Sequence, residues 1–208
     1  MPTTDYTRAR RHLARRDPVL RDLMRVHGKC GLAAAQNAEP FSALLKAIVS
    51  QQLSTKAART IYLRLVALFD GAPTPQGLAR LGDDQLRGVG LSGQKLRYMR
   101  DLGTRVQDGS LPLHALDAMS DDEVIVVLTQ VKGIGRWTAE MFLMFRLHRP
   151  DVLPVGDLGI VKAVQKAYGL RKTPTPDRLS KIGDAWRPYR SVACWYLWRS
   201  LNNTPAAD

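Results

Sequence analysis

The sequence predicts an all-α fold, on two observations. Apolar residues recur at intervals of three and four along most of the 208 residues, the period of a helix with one buried face. Alternation of β-branched residues never lasts for the length of a strand. Hydrophobic content of 45% with 16 glycines and 12 prolines marks a globular chain, long enough for one domain or for two small lobes.

The start of the chain carries Arg8, Arg10, Arg11, Arg15 and Arg16. It lacks the apolar core of a secretory signal, and its composition is shared with organelle transit segments. Leu13, Val19, Leu20, Leu23 and Met24 run through it as core candidates, which makes one or more basic helices over about residues 6–26 the expectation. Residues 28–37 read as a loop of small residues. Pro40 suits a helix start, with Phe41, Leu44, Leu45, Ile48 and Val49 on one face. A polar turn, Ser50-Gln51-Gln52-Leu53-Ser54, follows, and Ser54 is placed to cap a helix bearing Ile61, Leu63, Leu65, Val66 and Phe69.

Thr74 and Pro75 open a short helix after a turn. Asp83-Asp84-Gln85-Leu86 leads through Gly88, Gly90 and Ser92 into a helix with Leu96, Met99 and Leu102. That order of acidic start, glycines and helix recurs at Ser120-Asp121-Asp122-Glu123, which has capping-box form. The echo fits an internal duplicate, and equally any helix pair that ends on glycine.

In the second copy Val124 to Leu128 is broken by Val131-Lys132-Gly133-Ile134-Gly135, and a new helix starts at Arg136 with Trp137, Met141, Phe142 and Phe145 at helical spacing. Two glycines two apart let the backbone take positive φ and approach a partner with no Cβ in the way. Amides at a helix start, flanked by Lys132 and Arg136, make an anion site, although a bare Gly-x-Gly turn also fits a helix corner whose glycines serve only packing. Downstream lie Pro150, Pro154, Gly156 and Asp157, then a helix with Ile160, Val161, Val164 and Ala167 that ends at Gly169. Thr175-Pro176 starts another short helix, and an apolar helix with Trp195, Leu197, Trp198 and Leu201 closes the chain. An aromatic-rich terminal helix of this kind is core.

Net charge is +12, with 31 Lys and Arg against 19 Asp and Glu. This favours a polyanionic partner without choosing among DNA, RNA and an anionic membrane. No stretch reaches the ~20 apolar residues of a membrane span. Cys30 and Cys194 are the only cysteines, too few for a disulfide framework or a Cys-x-x-Cys zinc site.

Gly133-Ile134-Gly135-Arg136-Trp137-Thr138-Ala139, followed by the Gly/Pro-rich loop and Asp157, resembles the helix-hairpin-helix/Gly-Pro-Asp superfamily of base-excision DNA glycosylases. Within it the similarity is greatest to the alkylated-base branch, the 3-methyladenine DNA glycosylases of type II, and it extends over about residues 40–198.

The resemblance implies two helical lobes with DNA in a cleft between them, residues 39–149 forming one lobe and residues 1–38 with 150–208 the other. It implies hydrolysis of the N-glycosidic bond of an everted 3-methyl- or 7-methyl-purine in duplex DNA, by a monomer acting inside the cell and associated with the nucleoid. Asp157 takes the catalytic position, although an aspartate there is otherwise an ordinary helix cap. Lys132, Gly133, Ile134, Gly135, Arg136 and Thr138 take the strand-holding positions. The Gln52 position fills the gap left by the extruded nucleotide, with Ser54 beside it. Trp137, Met141 and Trp198 fall at base-pocket positions, and Met141 departs from the tyrosine of some relatives.

In members that also nick the strand, a lysine occupies the place of Trp137, and an indole cannot form a Schiff base. A monofunctional enzyme follows, with water as second substrate and no organic cofactor. Carbonyls at Thr129, Val131 and Ile134 match those that hold a sodium or potassium ion in the family. Two cysteines cannot build the four-cysteine iron–sulfur site of some relatives. The competing expectations are a glycosylase/lyase for other damaged bases and a non-catalytic helix-hairpin-helix module.

Overall fold

The computed structural model describes residues 6–34 and 39–201, and every regular element among them is helical. They form two compact units, one from Met1–Gln36 with Leu143–Asp208 and one from Asn37–Phe142. The second junction falls inside a helix, between Phe142 and Leu143, and not after Arg149. None of the helices among the described residues is long and apolar enough to cross a membrane.

In the terminal unit the basic start forms two helices, α1 (Tyr6–Arg16) and α2 (Pro18–His27). Asp17 separates them. Its Oδ1 accepts the Leu20 amide at 3.0 Å as the cap of α2, and its Oδ2 accepts Trp186 Nε1 at 2.8 Å. The Tyr168 hydroxyl donates to the same Oδ2. Burial, and then the adjoining Asp17 carboxylate, push the Tyr168 phenol far up, so it stays a donor. Gly31–Ala34 is a 3-10 turn, and the rest of the expected loop, residues 35–37, lies outside the described residues.

The chain continues as α10 (Leu158–Ala167), α11 (Pro176–Gly183) and α12 (Arg190–Ser200) after the other unit's helices. Every residue of α12 from Ser191 to Trp198 is buried, so this helix is the centre of its unit, packed by α2 and α10. Trp186, Trp195 and Trp198 are all core. A helix covered all round needs no amphipathic pattern.

The other unit holds α3 (Pro40–Ser50), α4 (Thr55–Val66), α5 (Pro75–Arg80), α6 (Asp83–Gly88), α7 (Gly93–Gln107), α8 (Asp121–Leu128) and the first part of α9 (Arg136–Phe145). Ser54, Thr74, Ser92 and Ser120 each accept an amide three residues on and so fix where α4, α5, α7 and α8 begin. α4 stops at Val66, short of Phe69, whose ring instead lies in the turn against Gly77.

The 15-residue α7 is the spine of this unit. Its buried face carries Leu96, Met99 and Leu102. Beside that face Lys95 Nζ donates to the Val49 carbonyl at 2.6 Å, and Arg100 donates to the Leu78 and Leu81 carbonyls at 2.6 Å each. Partial burial holds the Lys95 amine below its usual range.

Candidate functional site: the hairpin and the buried aspartate

The hairpin between α8 and α9 is set by its apolar residues. Val131 and Ile134 are buried, and the Ile134 amide closes onto the Val131 carbonyl at 3.0 Å. Gly133 has φ +81°, and a methyl built on it would lie 2.1 Å from Cδ2 of Tyr98 on α7. Only glycine lets this backbone rest on the ring.

Gly135 is different from the expectation. It is not among the positive-φ residues, and nothing lies within 4 Å of the position its Cβ would take. The first glycine is needed for internal packing, and the second leaves the outer backbone open to approach by a partner.

Two side chains outside the hairpin hold it. Gln51 Nε2 donates to the Gly133 carbonyl at 2.7 Å, and Asp101 Oδ2 accepts the Lys132 amide at 2.9 Å. Asp101 also pairs with Arg105 at 2.9 Å and faces the Lys132 ammonium at 3.9 Å. Burial pushes this carboxyl up, but the Lys132 amide and the Arg105 and Lys132 charges outweigh it and hold it below the usual range. A carboxyl lowered by folding stabilises fully above its unfolded pKa, about 3.9, and loses that contribution as pH falls through the folded value. Asp101→Asn is therefore expected to cost about 1–2 kcal/mol at pH 7. In thermal melts its gap to the parent should narrow as the pH is taken below ~4.

The turn from α3 to α4 joins the same cluster through Gln51. Its tip, Gln52, is exposed and has φ +57°, a left-handed conformation that costs a non-glycine residue of order 1 kcal/mol. Ser54 spends its hydroxyl on the Ala57 amide at 3.3 Å, as the cap of α4.

Along α9, Trp137 is 51% exposed. Arg136 reaches outward while its Nε bonds the buried Glu140 at 3.0 Å. Thr138 is buried and Met141 half-buried. The Thr138 side chain therefore lies largely under cover, unlike the hydroxyl expected to lie beside the strand.

In the terminal unit the Pro-rich loop is clamped to the start of α12. Asp151 takes Arg190 at 2.8 Å and Arg187 at 2.9 Å, and Ser191 bridges the Arg149 carbonyl and the Val152 amide. The loop ends as the Asp157 amide bonds the Pro154 carbonyl at 3.0 Å. Asp157 then caps α10, its Oδ1 accepting the Ile160 amide at 2.7 Å and Trp198 Nε1 at 2.9 Å. The residue is 8% exposed. Both donors fall on the same oxygen, at the start of α10.

Trp198 is 5% exposed and stacks on Phe145 at 5.9 Å. It presents an N–H to the acid as well as a ring. Gly159 makes room for this arrangement, since a methyl there would meet Asp157 Oδ1 at 3.0 Å and Trp198 Cδ1 at 3.1 Å.

Sequence reading missed Gln51, Tyr98, Asp101 and Gly159 as supports of the site. Tyr98, Asp101 and Arg105 do share a helical face of α7, as a polar stripe.

The sequence profile of the HhH-GPD superfamily base excision DNA repair proteins matches residues 45–188. DNA-3-methyladenine glycosylase 1 of Schizosaccharomyces pombe is 33% identical over 201 residues, 95% of this chain and 88% of the relative. The solved structure of the 3-methyladenine DNA glycosylase of S. pombe in complex with abasic DNA superposes with a TM-score of 0.80 at 31% identity, covering 94% of this chain and 97% of the other. The DNA-3-methyladenine glycosidase of Bacillus halodurans gives a TM-score of 0.80 at 36% identity, with 100% and 94% covered.

Proposed function

The chain belongs to the HhH-GPD superfamily of base excision DNA repair proteins, and we propose that it is a monofunctional DNA glycosylase for alkylated purines. One observation carries the reading: the nearly covered carboxylate of Asp157, at the loop-to-helix junction, is fixed by an amide and an indole N–H on one oxygen. The glycosylase names of its relatives support the same reading.

The unit of Asn37–Phe142 takes the strand. Amides at the start of α9, with Lys132 and Arg136, receive a phosphate, contacts that carry no sequence information. The amides of Lys132 and Ile134 are engaged internally, so the open backbone at Gly135 leads this contact. Gln52, held in its turn, fills the gap in the stack. A target base inside a duplex has to be rotated out before it can be cut.

The terminal unit supplies the chemistry. A 3-methyl- or 7-methyl-purine is already cationic, so the C1′–N bond can break with its electron pair passing to the base and no acid is needed. The sugar is left as an oxocarbenium ion, which the Asp157 carboxylate stabilises. Water adds to C1′ and loses its proton to Asp157 and then to solvent, leaving an abasic site. On the unit of Asn37–Phe142, the exposed ring of Trp137 is a surface that attracts a cationic base by about 0.5–2 kcal/mol.

No organic cofactor is required, and DNA is bound by a single copy of the chain. The carbonyls of Thr129, Val131 and Ile134 are neutral oxygens, the donor type sodium and potassium take. The Val131 carbonyl accepts the Ile134 amide, and a carbonyl oxygen has a second lone pair with which to meet an ion. An ion there would add positive charge for a phosphate.

Incubation with methylated duplex tests the reading. Free methylpurine and an unbroken abasic strand are expected, with no protein–DNA adduct trapped by borohydride. An adduct would show a lyase, and no release would show a binding module. Gln52→Gly keeps the turn's backbone and removes the filler. It is expected to slow excision from a fully paired duplex about tenfold, and to slow it less where the opposing strand is gapped.

A further inference from the structure

The basic start of the chain has no part in the chemistry above. α1 contains no acidic residue in its first turn and ends on Arg15 and Arg16. Arg10, Arg11 and Ala14 on α1 face Arg21, Met24 and Arg25 on α2 across an open groove of about 330 Å³. Four arginines thus line one small surface. The carboxylate of Asp22 lies 3.7 Å from Arg25, with both side chains well exposed, and such a pair neutralises little. Arg10 bonds Tyr196, and its Nε is buried with no hydrogen-bond partner among the described residues. Self-repulsion of this kind costs stability and is offset when an anion binds.

We propose that this groove is a second contact surface for the DNA phosphate backbone, independent of lesion and sequence, which raises affinity for undamaged duplex. The proposal rests on the reading of the protein as a DNA enzyme. Duplex DNA fits better than an acidic protein, because among the described residues Ala14 and Met24 are the only apolar ones lining the groove and Met24 is buried. Protein interfaces draw their affinity from aromatic and apolar anchors that the groove lacks. A phosphodiester strand asks for charge and forked donors, which arginines supply.

Binding of the full chain to an undamaged duplex, measured across a salt series, tests the proposal. The groove pair Arg11→Gln/Arg21→Gln is compared with Arg15→Gln/Arg16→Gln, which removes equal charge from α1 residues that do not line the groove. Each phosphate that is no longer neutralised should lower the slope of log K against log[salt] by ~0.9. The groove pair should lose about 2 in slope, with weaker binding, while the control pair keeps most of the parent slope. Single-turnover excision at saturating enzyme should stay at the parent rate, and melts should show both variants folded.

An unchanged slope in the groove pair overturns the proposal, and so does an equal loss in both pairs, which would be an effect of net charge alone. If the parent releases no methylated base, the excision reading fails, and the slope comparison still decides the groove.

Discussion

Gly133→Ala is expected to give the largest loss of stability of any single substitution in the hairpin. The new methyl would lie 2.1 Å from the Tyr98 ring, and the backbone has φ +81°. A left-handed conformation costs an alanine about 1–2 kcal/mol, and overpacking typically adds about 1–3. The two together should lower the melting temperature by roughly 10 °C for a chain of this length. The ring cannot yield without loosening α7, where Gln94 donates to the Tyr98 hydroxyl and Asp101 holds the Lys132 amide. Gly135→Ala is the control. Its Cβ would enter open space, so the melt should stay near the parent's while affinity for duplex falls on the order of tenfold. Equal melts for the two variants would show that the hairpin does not rest on Tyr98 as described.

Asp157→Asn is expected to give the largest loss of activity. Asparagine caps helices as well as aspartate, and its carbonyl can still accept from the Ile160 amide and Trp198 Nε1. Fold and DNA affinity should therefore survive. On the proposed mechanism, what disappears is the negative charge beside the developing cation. Single-turnover release of a methylated purine should slow by about a thousandfold, or roughly 4 kcal/mol of transition-state stabilisation. The lesion duplex should bind within a few-fold of the parent. A variant that cuts at the parent rate would place the reacting sugar elsewhere.

The helices and the hairpin were legible in the sequence because their signals are local. Ser54, Thr74 and Ser120 cap where their side chains predict, and apolar spacing of three and four identifies the buried faces. Asp157 was legible as the cap of α10 because capping is local too; its part in the chemistry came from the family resemblance and is a proposal. The contacts that hold the site are long-range and left no local mark. Gln51 and Gln52 are chemically identical neighbours, yet one bonds the Gly133 carbonyl 82 residues away and the other takes a left-handed turn.

Residue type and helix pattern mark Trp198 as core, and only the family resemblance put it at a base-pocket position. That its N–H meets Asp157, 41 residues apart, depends on how α12 passes α10, with Gly159 giving the clearance. The two glycines of the hairpin also look alike in the sequence. The Tyr98 ring beneath one of them decides which takes positive φ.

The central claim is that Asp157 acts on a sugar turning cationic, and a charged mimic of that sugar tests it most directly. Duplexes bearing either a neutral tetrahydrofuran abasic site or its cationic pyrrolidine counterpart would be titrated with the parent and with Asp157→Asn. The parent should prefer the cationic site by about a hundredfold or more, and the variant should lose most of that preference. Equal affinity for the two sites in the parent, or a preference that survives in Asp157→Asn, would contradict the account.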